Sequence, residues 1–257
     1  MLQPRIIPSL LVHKKGLVKT VQFGNKKYVG DPINAVKIFN EKEVDELIVL
    51  DIDATVAKIA PDFVMIKNIA VECRMPFCYG GGVKTVEQAK QIVSLGAEKV
   101  AFSSAAIANP QLLKKVGEVI GVQSIVVVLD YRKRKSLFGN NNELFTHNGT
   151  KSTGKIVVDF IEELNDIGVG EIILNSIEND GVMKGYDISF AEKVRDICDV
   201  PLTILGGAGS YDDIRKVVEK FGIIGASAGS IFVFKGKYKA VLINYPDHNE
   251  KMRIINQ

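Results

Sequence analysis

Eight short runs of aliphatic and β-branched residues, each followed by a helix-patterned segment, constrain this chain more than any other feature. They are RIIPSLL (5–11), ELIVLDI (46–52), PFCY (76–79), EKVAFS (98–103), SIVVVLD (124–130), EIILNS (171–176), PLTIL (201–205) and IIGASA (223–228). Being nearly all apolar, they predict strands covered on both faces, as in a parallel sheet flanked by helices. Helix start signals fill the gaps. Asp31-Pro32 opens a helix to about Val44, and Thr85 with Gln88 makes a capping box before a helix ending at Gly96. Asn109-Pro110 opens another, and Ser210 precedes one through Lys220. The stretch after the eighth run, KGKYKAVLINY, is a short and weakly patterned helix candidate. The alternation leaves no linker, and 257 residues suit one eight-stranded barrel. The expected fold is a single α/β domain over residues 1–257, a (βα)8 TIM barrel.

The chain also echoes itself at half its length. YGGGVKT (79–85) returns as LGGAGSY (205–211), 126 positions later, SSAAI (103–107) as AGSIF (228–232), and Glu46-Leu-Ile-Val as Glu171-Ile-Ile-Leu. A period this long is not a solenoid repeat. It predicts two four-stranded half-barrels, a two-fold internal repeat in which functional sites come in pairs.

Composition narrows the function. A net charge of +3, with charges interleaved along the chain, argues against nucleic-acid partners. Cys73, Cys78 and Cys198 lack metal-ligand spacing and read as reduced thiols, so no metal or cofactor is expected. Arg5 and Pro8 interrupt the apolar N-terminus, which rules against a signal peptide, and no apolar run approaches the ~18 residues of a membrane span. The expected location is the cytoplasm. His13, His147 and His248 share no spacing and read as exposed loop residues.

In such barrels ligands lie at the C-terminal strand ends. Gly80-Gly81-Gly82 follows the third strand, and Gly206-Gly207-Ala208-Gly209 the seventh. Glycine lets successive backbone N–H groups approach an oxyanion. Ser103-Ser104 and Gly229-Ser230, at the next strand ends, would complete each cradle. Tight turns explain one glycine cluster; two clusters, each with a hydroxyl partner, point to a small-molecule substrate with two phosphate ends.

RIIPxLxV at the start, GDP at 30–32, ELIVLDI, the GGGV and GGAG loops, and TGK…NSIENDGVMKGYD (153–187) together resemble the cyclase subunit family of imidazole glycerol phosphate synthase. The resemblance covers nearly the whole chain. It implies a glutaminase subunit docked as a heterodimer on the N-terminal barrel face, and ammonia passing up the barrel to a phosphorylated substrate. Of the family's acid/base pair, Asp130 on the fifth strand matches, whereas Leu11 stands where the first strand should carry an aspartate. Leucine cannot move protons, and losing such a group typically removes ~10²–10⁴ in rate. Lys19 matches the family's loop lysine, a catalytic candidate that could hold phosphate or cover the site, with solvated exposure as the plain alternative. Asp180 and Gly181 match near the substrate, and Leu205 replaces a usual serine beside the second cradle.

Arg5, Glu46, Lys99 and Glu171 begin strands 1, 2, 4 and 6 and match the family's ring of charges that closes the floor and gates ammonia. With a period of two, Arg5, Ile7, Ser9 and Leu11 all face inward, Arg5 and Leu11 being ~20 Å apart. Asp51, ending strand 2, suits a loop anchor as well as a ligand. The basic run Tyr131-Arg-Lys-Arg-Lys, followed by Gly139 and three asparagines, predicts a mobile loop. A kept gate with a missing acid suggests a diverged paralogue that passes ammonia to another acceptor, such as a nucleotide-linked sugar in surface-polysaccharide synthesis, through a third amidotransferase protein. The rivals are an ordinary histidine-pathway cyclase, a non-catalytic activator of a glutaminase, and a phosphosugar isomerase.

Overall fold

A computed structural model describes residues 3–136 and 139–255. Eight parallel strands follow the predicted order: β1 (Arg5–His13), β2 (Leu47–Asp51), β3 (Phe77–Gly80), β4 (Lys99–Phe102), β5 (Ile125–Ser136), β6 (Glu171–Ser176), β7 (Leu202–Leu205) and β8 (Gly225–Ala228). Each pairs with the next, and β8 pairs with β1, so the sheet closes on itself. The outer layer contains α1 (Pro32–Glu41), α2 (Phe63–Glu72), α3 (Val86–Ser94), α4 (Gln111–Ile120), α5 (Val157–Ile167), α6 (Ile188–Arg195), α7 (Tyr211–Phe221) and α8 (His248–Ile255).

Strand parity sorts the apolar residues into two cores. Ile6, Leu10, Leu47, Val49, Phe77 and Tyr79 face the helices in the larger one. Ile7, Ile48, Cys78, Ala101, Val126, Val128, Ile173 and Leu205 fill the bore. Full burial of such side chains contributes roughly 1.5–3 kcal/mol each, which explains why all eight strands read as apolar on both faces. The caps follow the local signals: Asp31 accepts from the Asn34 N–H, and the Thr85–Gln88 and Ser210–Asp213 capping boxes both form.

Three expectations need correction. The basic run after β5 is not a free loop: β5 continues to Ser136 and pairs antiparallel with Gly139–Thr146, which pairs in turn with Lys151–Ile156. Leu137 and Phe138 lie outside the described residues. The run's charges are largely spent inside this extension. Lys133 pairs with Asp187 at 2.9 Å, Arg134 with buried Glu143 at 2.6 Å, and Arg132 lies over the Phe145 ring. KGKYKAVLINY forms no helix; Phe234–Lys235 and Ala240–Val241 make a two-stranded ribbon, and the eighth helix comes later, as α8. The first helix stops at Glu41 rather than near Val44, because Glu43 takes a positive φ of 51°.

Candidate functional site

The bore is bounded below by charge and above by an open, mixed-polarity mouth. At the floor, Arg5 contacts Glu46 and lies 2.8 Å from Glu171, while Lys99 Nζ lies 2.8 Å from Glu46 and 2.7 Å from Glu171. Each cation touches both anions, so the four residues form a closed ring. The carboxylates are the deeper members, with side chains 4% exposed, against 28% for Arg5 and 20% for Lys99. Burial works against the Arg5 and Lys99 cations, but Glu171 and Glu46 outweigh it and hold both above their ordinary range. Burial also opposes the Glu171 carboxylate; Arg5 and Lys99 prevail and hold it below the usual range. Thr203 adds a hydroxyl donor to Glu171. Its side chain occupies the space where Gly225 has no Cβ, since a methyl there would meet Thr203 Oγ1 at 1.8 Å.

At the mouth, strand register brings Asp130, Asn175 and Leu205 to one level, and Leu11 and Leu50 to a neighbouring pair. All five line one cavity, along with Ser9, Lys19, Ser103, Ser104, Asp180 and both glycine loops. Gly81, Gly206, Gly207, Gly229 and Ser230 are therefore at the mouth with Gly181. Gly82 lies beside them and donates its N–H to Thr55 Oγ1 at 3.3 Å.

The glycines are forced by the chain's own close approaches. A methyl on Gly81 would lie 2.5 Å from the Asp51 carbonyl, and one on Gly207 2.1 Å from that of Gly185. Both also have φ values that side-chain-bearing residues rarely adopt, +125° and +123°. Asp51 accepts the Asp53 and Ala54 N–H groups at 2.8 and 3.1 Å, which makes it the anchor of its loop.

Lys19 is not solvated. It is 5% exposed, donates to the Ser9 carbonyl at 2.5 Å, and packs so closely on the second cradle that a methyl on Gly229 would lie 2.3 Å from its Nζ. Asp180 lines the mouth, as its expected place near the substrate requires, but its polar atoms are engaged within the chain. Its N–H is given to the Ser176 carbonyl, and its carboxylate accepts from Thr20 at 3.1 Å, leaving it no donor for an anion. It is instead a countercharge for Lys19. His13 is also repositioned, ending β1 with its ring 2.7 Å from Asp53. Asn175 and Thr203 escaped the sequence reading. The inward parity of Glu171 on β6, carried forward four residues, is the signal that would have found Asn175.

Burial pushes the Asp130 carboxyl up to about 7, with the Asn175 hydrogen bond opposing and the Asp180 charge adding to the rise. Burial brings Lys19 down to about 8 against the pull of Asp180. A carboxyl poised near neutrality suits proton transfer. It also has a sign that stability reveals. The fold keeps a proton on Asp130 that the unfolded chain releases near 3.8, so this group's contribution to stability falls as pH rises from there to about 7. Asp130→Asn has no charge to bury. Its melting temperature, relative to the unaltered protein, is expected to rise across that interval in thermal scans, and a constant difference would refute the assignment.

The model of the histidine biosynthesis protein family matches residues 5–239. The chain belongs to that family. A provisionally named imidazole glycerol phosphate synthase subunit, hisF3 of Vibrio vulnificus strain YJ016, is 56% identical over 255 residues, 99% of this chain and 97% of the relative. A provisionally named hisF2 subunit from Pseudomonas aeruginosa PAO1 is 47% identical over 250 residues, covering 97% and 98%. The HisF subunit of Streptococcus sanguinis SK36 is 39% identical over 232 residues, covering 90% and 91%. This histidine-biosynthesis barrel is thus a diverged HisF-type member, more similar to these two numbered paralogues than to the streptococcal subunit. Among its described residues no helix is long and apolar enough to cross a membrane.

Proposed function

We propose that this HisF-type barrel is the ammonia-receiving subunit of a glutamine amidotransferase, docked by its N-terminal face on a glutaminase. The closed Arg5–Glu46–Lys99–Glu171 ring carries the reading. Two cations and two anions at the lower end of a mostly apolar bore are costly to bury for stability alone, but they make a floor that opens when one cation swings outward. The Gly81–Gly82/Ser103–Ser104 and Gly206–Gly207/Gly229–Ser230 groups would hold the two phosphate ends of an acceptor, with Lys19 supplying charge at the second. The direct test is glutaminase turnover with and without this chain; unchanged turnover refutes the complex. The reading places the complex in the cytoplasm, where reduced thiols belong.

The acceptor we infer is not the ribosyl substrate of the histidine pathway. Leu11 and Leu205, which line the mouth with Asp130, put methyl groups where the family carries a carboxylate and a hydroxyl, so strand 1 offers Asp130 no partner acid. A nucleotide-linked sugar, amidated directly or through a third protein, suits one base and two phosphate seats. With excess ammonium salt, the histidine-pathway substrate should be cyclised at least about 10²-fold more slowly than is normal for the family. Leu11→Asp is expected to recover part of that rate, measured as imidazole glycerol phosphate released. Normal turnover by the unaltered chain would return it to the histidine pathway.

A further inference from the structure

We propose that the throat of the barrel contains a seat for the migrating nitrogen, in which Asn175 Oδ1 and the Asp130 carboxylate accept its N–H groups inside a collar of Leu11, Leu50 and Leu205. The proposal rests on the amidotransferase reading for its biological meaning, but its geometry stands apart from it.

Asn175 is 4% exposed, and its two amide atoms have different fates. Nδ2 donates to Asp130 Oδ1 at 2.7 Å. Oδ1 has no hydrogen-bond partner among the described residues. A buried acceptor left unpaired is costly, and buried polar atoms in native folds usually have a partner. The position of Oδ1 is also kept clear. Gly206, which lines the same cavity, has a φ of +90°, and a methyl there would lie 2.9 Å from Oδ1. Any larger residue at 206 would crowd the oxygen.

The location fits a molecule rising from the floor. Glu171, Ile173 and Asn175 share the inward face of β6, so the floor ring and the unpaired oxygen are on one strand, ~13 Å apart. A nitrogen that leaves Glu171 passes Ile173 and next meets Asn175. Ammonia has three N–H donors and one lone pair. Two acceptors on the β5–β6 side hold it by its hydrogens and leave the lone pair free for an acceptor above. The charged groups that line this cavity with Asp130 are Asp180, from the loop after β6, Lys19, from the segment after β1, and Asp51, which ends β2; of these, Asp180 acts on the Asp130 carboxyl. Lys19 already donates to Ser9, and the leucine collar contributes no donor that would compete. Asn175 is also the positioning residue for Asp130, because its Nδ2–H fixes one carboxylate oxygen.

The test uses the full chain with ¹³C-labelled Asn and Asp side-chain carbonyls, at about pH 8 so that Asp130 is ionised. Ammonium chloride is titrated against sodium chloride and tetramethylammonium chloride at equal ionic strength. A saturable shift of the Asn175 and Asp130 carbonyl signals with ammonium alone is expected; equal responses to all three salts, or none, overturn the seat. Asn175→Leu should weaken the Asp130 response about tenfold, the weight of one buried hydrogen bond. It should also raise the pH at which Asp130 titrates, which a merely structural role would not do. The ammonium titration of the unaltered chain decides the matter even if that variant folds poorly. An ammonium-specific shift without any effect on a glutaminase would keep the seat and remove the amidotransferase reading; the converse would do the opposite.

Discussion

Glu171→Ala is expected to lower stability by about 3–5 kcal/mol, the usual consequence of removing one partner from a buried ion network. At 2–4 °C per kcal/mol for a chain of this size, that is a fall of roughly 6–20 °C in melting temperature. The reason lies in connectivity. Glu171 accepts from Arg5, Lys99 and Thr203, so its loss leaves two half-buried cations with only Glu46 between them and strands a buried hydroxyl. Glu171→Gln should fall between the two, since it keeps an acceptor for Thr203 and loses only the charge. A drop of under about 2 °C in Glu171→Ala would mean that the ring is solvated and carries little energy. The acid limb has the same sign. Because the folded state holds the Glu171 carboxyl below its ordinary value of 4.5, its contribution is intact above that value and is lost as pH falls below it.

Stability does not by itself distinguish a gate from a brace, but apolar replacement does. Substituting the whole ring with leucine and methionine of similar volume is often neutral or stabilising in such networks. A brace so replaced would leave glutamine-driven transfer unchanged. A gate so replaced should still pass free ammonium supplied at the mouth, while glutamine-driven transfer fails. The comparison of the two nitrogen sources on one variant is the discriminating measurement.

Asp130→Asn is expected to reduce transfer of nitrogen to the acceptor by about 10²–10⁴, through loss of a buried carboxyl held near neutrality. Leu11, opposite, cannot compensate. The same variant should be more stable than the unaltered protein above about pH 7, because an uncharged amide replaces a buried charge. Loss of activity accompanied by loss of stability would instead mark Asp130 as a structural residue. Transfer by the unaltered chain should be greatest between about 7 and 8, where Asp130 is ionised and Lys19 still carries its proton.

Much of this is legible in the sequence. The eight strands, the helix caps and the half-chain repeat are local or periodic signals, set by which side chains alternate and which residues satisfy helix ends. Strand parity was enough to put Arg5 and Leu11 on the inner face at opposite ends of β1, while the family resemblance grouped Glu46, Lys99 and Glu171 with Arg5 in one ring at the strand starts. What escaped depended on contacts between segments far apart in the chain. Lys19 read equally well as a solvated loop residue, because nothing near it in sequence reveals that Ser9, Gly229 and Asp180 enclose it. The basic run after β5 carried the composition of a loop, yet antiparallel pairing with residues 139–146 and the carboxylates of Glu143 and Asp187 ordered it. Asp180 had the chemistry of a site residue, but only the fold showed that its donor was already committed. The sequence alone determined which side chains enter the bore, since a period of two fixes the face. The tertiary structure decided which of them meet, how deeply each charge is buried and which polar atoms are left open, because those follow from closure of the barrel, a property that no single strand possesses.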